Sequence, residues 1–546
     1  METSLLRRGV MALVGAAHTL ARWYGDSALG RSLGAAGSGL TRAAAGSALG
    51  RLLVWDLDDS WRRSASFGSL SALAQRFVAW SSRWLTPVLD GSWFVRSWNT
   101  VAGWFGTATP FADSRAVQLV RWYFCEETVS RPMPADPAGD VPTTRPGIAA
   151  LQGLTVVVLH ALVWTVPTIE WAKLLIVMLA LTVLMSLRWL AGERLRGGGL
   201  FVPVFAYVVF AALASLSSIT VFGSLRDLGL LLGGAGVLFA IINLRDRRAW
   251  VGLLGSVVAV AALVSLYGLY QYVRGTAVAS RAWFDINTNP ELTSRVFSTF
   301  GNPNTLAMYL EFSLPLTVGL LWSERSRLKQ LLYMAAALVM LAALVLTMSR
   351  GGWLALVFGG LVFLALTDSR VLWALPLAGA VAYAFLPPVF RTRLATIGSL
   401  KDASNAYRVN IWLAAIYMIG EFWPTGVGFG YRAFMPIYNY FRLRGQPAFH
   451  AHNFYLEQFA ELGIIGFILF LWLICRIGAA GVRGLALGRD PRLRAVSIGG
   501  LAGLAGILLH GMFENIFYLP TIIAAFWVAM GIMAAGTELA AGEQAH

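Results

Sequence analysis

The chain has 546 residues, of which 57% are hydrophobic and 13% charged, with 21 tryptophans and a formal net charge of +15. This composition excludes an ordinary soluble domain and indicates an all-α, polytopic membrane protein. The basic residues lie in short clusters between apolar runs, which suits topology signals and lipid headgroups and argues against a nucleic-acid partner. Two cysteines, Cys125 and Cys475, have no metal-type spacing, so neither a structural disulfide nor a zinc site is expected.

Residues 1–147 form a basic N-terminal region. Leu5 to Leu20 loosely resembles a signal peptide, but its apolar part is short and broken, and cleavage is not expected. Trp55, Trp61, Arg62, Arg63, Trp80, Arg83, Trp84, Trp93, Arg96 and Trp98 recur at helical intervals, and no stretch reaches the ~18–20 apolar residues needed to span. The region reads either as amphipathic helices on the cytoplasmic leaflet or as a basic tail. The glycine-rich part between Gly30 and Gly50 has no phosphate-loop Gly-Lys-Ser/Thr, and prolines 132 to 146 make a linker into a second region, 148–546.

From residue 148, hydropathy predicts about twelve spans. They centre near Val157, Ala180, Val209, Leu232, Val260, Phe312, Ala337, Val357, Ala378, Leu469, Gly506 and Trp527, and Pro167 can turn the first two into a hairpin. Arginine clusters such as Arg245–Arg248, Arg325–Lys329 and Arg483–Arg494 fall on one side with both termini, which the positive-inside rule makes cytoplasmic. Two longer loops, 273–303 and 389–453, then lie outside, in the periplasm of a didermic cell. Within the larger one, Ser404 or Asn405 can cap a helix through Arg408, Trp412 and Ile416 that ends at Pro424 and Gly426. Tyr431, Tyr438, Tyr440 and Phe441 follow, as an edge for sugar rings or as interfacial anchors.

The candidate chemistry sits on these outer loops. Arg350, in Ser349-Arg350-Gly351-Gly352, stands where topology does not call for arginine, and its planar fork matches phosphate. Arg408, one turn before Trp412, offers a second fixed charge for a diphosphate, with Arg432, Arg442 and Arg444 as competitors. His452, beside Asn453, can act as a general base near neutral pH, as can His450. Gly301-Asn302-Pro303-Asn304 makes a rigid turn that presents Asn302 and Asn304. Glu311, Glu457, Glu461, His510 and Glu514 fall in or beside spans, where ionisable groups are functional candidates, and His510 and Glu514 are spaced to pair with each other without making a metal site.

Phe297-Ser298-Thr299-Phe300-Gly301-Asn302-Pro303-Asn304, Ser349-Arg350-Gly351, Arg408 with Trp412 before the Pro424/Gly426/Gly428 strip, and His452-Asn453 with Gly463 and Gly466 occur in this order. Over roughly residues 200–540 the chain resembles the O-antigen ligase and O-antigen polymerase superfamily. The resemblance implies an integral-membrane glycosyltransferase of the bacterial inner membrane that moves a glycan from an undecaprenyl-diphosphate carrier to an acceptor hydroxyl, such as lipid A–core, on the periplasmic face. It also implies that Arg350, Arg408 and His452 are the functional residues. Asn453, Asn302, Asn304, Arg432 and Trp412 are the expected substrate contacts, and no metal or other cofactor is expected. The extra N-terminal region departs from the family plan. A surface-polysaccharide polymerase, a protein O-oligosaccharyltransferase and a lipid-linked-glycan transporter are the alternatives, and the histidine signature favours the ligase.

Overall fold

The computed structural model describes residues 146–545 apart from 169–170, 191–192, 194, 245, 278–293, 369, 371–374 and 400–401. The amphipathic helices expected before residue 146 lie outside the described residues. Regular structure among the described residues is helical. It begins with α1 (Pro146–Thr165), α2 (Trp171–Leu190), α3 (Phe201–Leu216), α4 (Val221–Ile242) and α5 (Arg247–Val273). Next come α6 (Pro303–Ser323), α7 (Arg327–Leu346), α8 (Arg350–Thr367), α9 (Leu375–Phe385), α10 (Pro388–Ala395) and α11 (Ala403–Phe422). The last are α12 (Tyr431–Phe441), α13 (Phe454–Leu487), α14 (Pro491–His510) and α15 (Pro520–Ala545).

Each of the twelve expected centres falls inside a helix. Among the described residues, ten helices are long and apolar enough to cross a membrane; α3 has 16 residues and α9 has 11. The protein is a multi-pass membrane protein. The loop 389–453 is largely helical, built from α10, α11 and α12. Asp402, not Ser404 or Asn405, caps α11: its carboxylate accepts from the amides of Ser404 and Asn405 at 3.0 and 3.3 Å. A carboxylate satisfies two orphan N–H groups and the positive end of the helix together, which a hydroxyl cannot do as well.

Packing places α14 between α6 and α8. A Cβ on Gly499 would stand 2.6 Å from the Pro315 carbonyl oxygen, and one on Gly506 2.9 Å from that of Ala355. Small residues let these backbones touch where lipid supplies no hydrophobic drive between helices. Outside the bundle, Ile411, Ala414, Ala415 and Met418 of α11 and Phe434 and Tyr438 of α12 form a second core with Ala460 of α13.

Helix α13 is broken at Gly463, whose φ is +63°. The strip after α11 takes up the groups that the break frees. Ile464 N–H donates to Trp423 O at 2.8 Å, and the amides of Val427 and Gly428 donate to the carbonyls of Ala460 and Glu461 at 3.0 Å. Unsatisfied backbone at membrane depth costs several kcal/mol per group, so such a break needs this partner strip. The short segment before the break then carries the histidine loop.

Candidate active site

Helix ends deliver the site. Asn302 caps α6 with Pro303 at its first position, and its Oδ1 accepts from Asn304 N–H at 2.8 Å. Ser349 caps α8, accepting from Gly352 N–H at 3.2 Å. Asn453 caps α13, accepting from the amides of Tyr455 and Leu456 at 3.0 Å and donating to Met512 O at 3.0 Å. That last bond, with Phe454 N–H on Gly511 O at 2.6 Å, sews the start of α13 to the end of α14. Three non-glycine residues beside these ends are left-handed: Ser298, Met348 and His452, with φ of +53°, +54° and +48°. Each such conformation costs about 1–3 kcal/mol and persists only where the surroundings over-determine it.

A small polar cavity lies between these ends, and four arginines line it: Arg295, Arg350, Arg393 and Arg408, with Asn304, Ser349, Ser404 and His510. Arg350 is 8% exposed. Its Nη1 and Nη2 donate to the two oxygens of Asp402 at 3.0 and 3.2 Å, and Nη1 also donates to Thr396 O at 3.0 Å. Arg295 donates from Nε to Thr347 O at 2.8 Å and from Nη2 to Asn304 Oδ1 at 3.0 Å. Arg393 Nε donates to Met348 O at 3.2 Å. Burial, then the neighbouring Arg393, Arg350 and Arg408, pull the Arg295 guanidinium well below its ordinary range. Burial and then Arg350 bring Arg393 down to about 10. Both shifts report cations crowded in a desolvated place, where an anion would be stabilised.

Beside the cavity, Glu514 joins Arg408 to the histidines. Its Oε2 lies 3.6 Å from Arg408 Nη2, and its Oε1 lies 2.8 Å from His452 Nδ1. Trp412 Nε1 donates to His452 O at 3.2 Å, so the tryptophan fixes the histidine backbone from behind. A carboxylate on Nδ1–H orients the imidazole and makes Nε2 its basic nitrogen. His450 packs ring to ring with His452 at 4.1 Å between centroids. Burial, and then His452, push His450 down to about 3, so it is neutral at working pH. For Glu514 burial acts upward, but the charge and hydrogen bond of His452, then His450 and Arg408, outweigh it and hold the carboxyl well below the usual range. A depressed carboxyl adds stability above its unfolded value of 4.5 and loses it as pH falls through the lower folded value. Glu514→Gln is therefore expected to lower stability at pH 7, and denaturation at several pH values should show its gap to wild type closing below pH 4.5.

Donor atoms of His450, His452 and Glu514 lie within 4.8 Å of one another, a set of metal-ligand types. They are already engaged: His450 Nδ1 accepts from His452 N–H at 3.2 Å, His452 binds Glu514, and Arg408 shares that carboxylate. A guanidinium against the same oxygens opposes a cation there.

The structure thus brings Arg350, Arg408 and Asn304 to one cavity, with His452 joined to it through Glu514 and Trp412 behind. Asn302 and Asn453 are spent on helix caps. Arg432 is held elsewhere, 3.9 Å from Asp227 and over the Tyr431 ring at 5.0 Å. The expected His510–Glu514 pair does not form. Helix α14 ends at His510, which turns to Glu311 at 2.7 Å, while the following turn carries Glu514 to His452. Sequence reading missed Arg295, Arg393 and Asp402. The two arginines lie in or beside the long outer loops, where the positive-inside rule gives no signal that could have marked them.

Residues 335–471 match the family described as O-antigen ligase. Over that stretch, a quarter of the chain, the protein is similar to the O-antigen ligase superfamily. The matched stretch of this ligase-like domain runs from α7 into α13 and includes Arg350, Arg393, Asp402, Arg408, His450 and His452. Arg295, Asn304 and His510 of the cavity wall, and Glu514 beside it, lie outside the matched stretch. No curated protein matches the chain.

Proposed function

We propose that the protein is a glycan ligase of the bacterial inner membrane, working at the periplasmic face. It moves a glycan from an undecaprenyl-diphosphate carrier to the hydroxyl of a glycan or lipid A–core-type acceptor. Residues 148–546 form the catalytic domain, and residues 1–147 a separate basic region on the cytoplasmic side. One observation carries this reading: four arginines line a single cavity, with Asp402 against Arg350 and Glu514 against Arg408. Such a cluster of guanidinium groups around one cavity suits a diphosphate better than a neutral sugar.

The acceptor oxygen attacks the anomeric carbon, and its proton passes to His452 Nε2. The bond from that carbon to the phosphate oxygen breaks, its electron pair stays on the carrier diphosphate, and the configuration inverts. Arg350 and Arg408, with Arg295 and Arg393, stabilise the charge that grows on the leaving diphosphate. Glu514 steadies the imidazolium, and Trp412 holds its backbone. Asn304 meets the phosphates beside Arg295. The donor is already activated, so the reaction draws on neither ATP nor a metal.

Inorganic pyrophosphate tests the cavity without a lipid. At ~100 times its Kd it should raise the unfolding free energy by about 2.7 kcal/mol. The gain should shrink in Arg295→Ala and Arg393→Ala. A melting temperature indifferent to pyrophosphate would remove the diphosphate from this cavity. Two differently labelled lipid-linked donors then separate ligase from polymerase, because a polymerase yields a product ladder from donors alone.

A further inference from the structure

A second histidine–glutamate pair faces the same cavity. His510 and Glu311 are 2% and 3% exposed, and His510 Nδ1 lies 2.7 Å from Glu311 Oε1. Glu311 comes from the middle of α6 and His510 from the last residue of α14. The other edge of the imidazole faces Gly351, the residue after Arg350. A Cβ there would stand 2.6 Å from both Cδ2 and Nε2. Gly351 and His510 both line the arginine cavity. Glu311 Oε2 is buried and meets no donor among the described residues. A buried carboxylate so poorly satisfied calls for a compensating positive charge beside it.

We propose that His510 is a further binding residue for the diphosphate, donating Nε2–H to a phosphate oxygen, and that Glu311 is the positioning residue that holds its ring and balances its charge. This rests on the reading of the cavity as a diphosphate site. With Nδ1–H on Glu311 and Nε2–H on phosphate, the imidazole carries both protons, and the pair with Glu311 is neutral overall. His510 thereby adds a donor from the end of α14 to the cavity that the arginines line. It also accounts for glycine after Arg350, because any side chain there would displace the ring. The charged groups around His510 are Glu311 from α6, Arg350 at the start of α8, Arg295 before α6, Arg393 of α10, Arg408 of α11, and Glu514 one turn on.

The test is inhibition of glycan transfer by inorganic pyrophosphate in the full-length protein in nanodiscs, with melting temperatures recorded. His510→Phe, which keeps a ring without a donor, should raise the pyrophosphate inhibition constant and the donor KM about 10–100-fold, with a smaller change in kcat. His510→Gln, which restores a donor, should recover most of that loss at a similar melting temperature. Glu311→Gln should raise the pyrophosphate inhibition constant and the donor KM in the same sense as His510→Phe with a smaller change in kcat, a split that a packing role would not produce. Inhibition constants within twofold of wild type in both His510 variants, or equal losses in Phe and Gln, overturn the proposal. If pyrophosphate fails against wild type as well, the diphosphate cavity itself is wrong. If Arg350→Ala abolishes inhibition while the His510 variants keep it, only the role of His510 falls.

Discussion

His452→Ala is expected to lower kcat for glycan transfer about 10²–10⁴-fold, the range for loss of a positioned general base, with donor binding little changed. Of the arginines that would hold the donor, Arg408 is joined to the imidazole, through Glu514, and Arg350 to Asp402, so the loss should fall mainly on kcat and not on KM. His450 cannot take over, although its ring is 4.1 Å away. Burial and its neighbour push it down to about 3, so it stays a neutral imidazole and accepts no second proton near neutral pH. His450→Ala should therefore cost much less than His452→Ala. Steady-state kinetics on the two variants with one lipid-linked donor decides this. Equal losses in kcat would move the base to His450 or to neither.

Arg350→Ala is expected to damage both folding and transfer, and the two can be separated. The substitution leaves Asp402, 1% exposed, without its bidentate partner, at a cost of about 3–5 kcal/mol. Lysine should not rescue it, because an ammonium cannot reproduce the two parallel bonds. Asp402→Asn removes the charge that faced Arg350 and keeps a capping side chain for α11. The double variant Arg350→Met with Asp402→Asn should thus regain most of the stability. Its transfer should stay about 10²–10³-fold low, the usual loss for one donor at a developing charge. Recovery of both in the double variant would make Arg350 a structural residue only.

The spans were readable because a bilayer demands about twenty apolar residues per crossing, and that demand is local in the chain. The centres near Val209 and Ala378 were readable too, although their helices are short. Ion-pair partners were not readable. His510 meets Glu311 across 199 positions and His452 meets Glu514 across 62, and spacing along one helix pointed instead to His510 with Glu514. The cap of α11 was misplaced by two or three residues because a charged carboxylate outbids the hydroxyl and amide beside it. Arg295 and Arg393 were hidden by their long outer loops, where arginine carries no topological message. The spacing from His452 to Gly463 was visible, but its cause is a broken helix matched to the strip from Trp423 to Gly428, which only tertiary structure displays.

The most direct measurement is a single-turnover reaction in nanodiscs, with labelled undecaprenyl-diphosphate glycan, an acceptor, and no nucleotide. Wild type should yield glycosylated acceptor and free undecaprenyl diphosphate in equal amounts. His452→Ala should bind the donor as tightly and release neither, while a variant lacking Arg295 and Arg393 should fail to bind it. Transfer by His452→Ala at the wild-type rate, or undiminished donor binding without those arginines, would contradict the account.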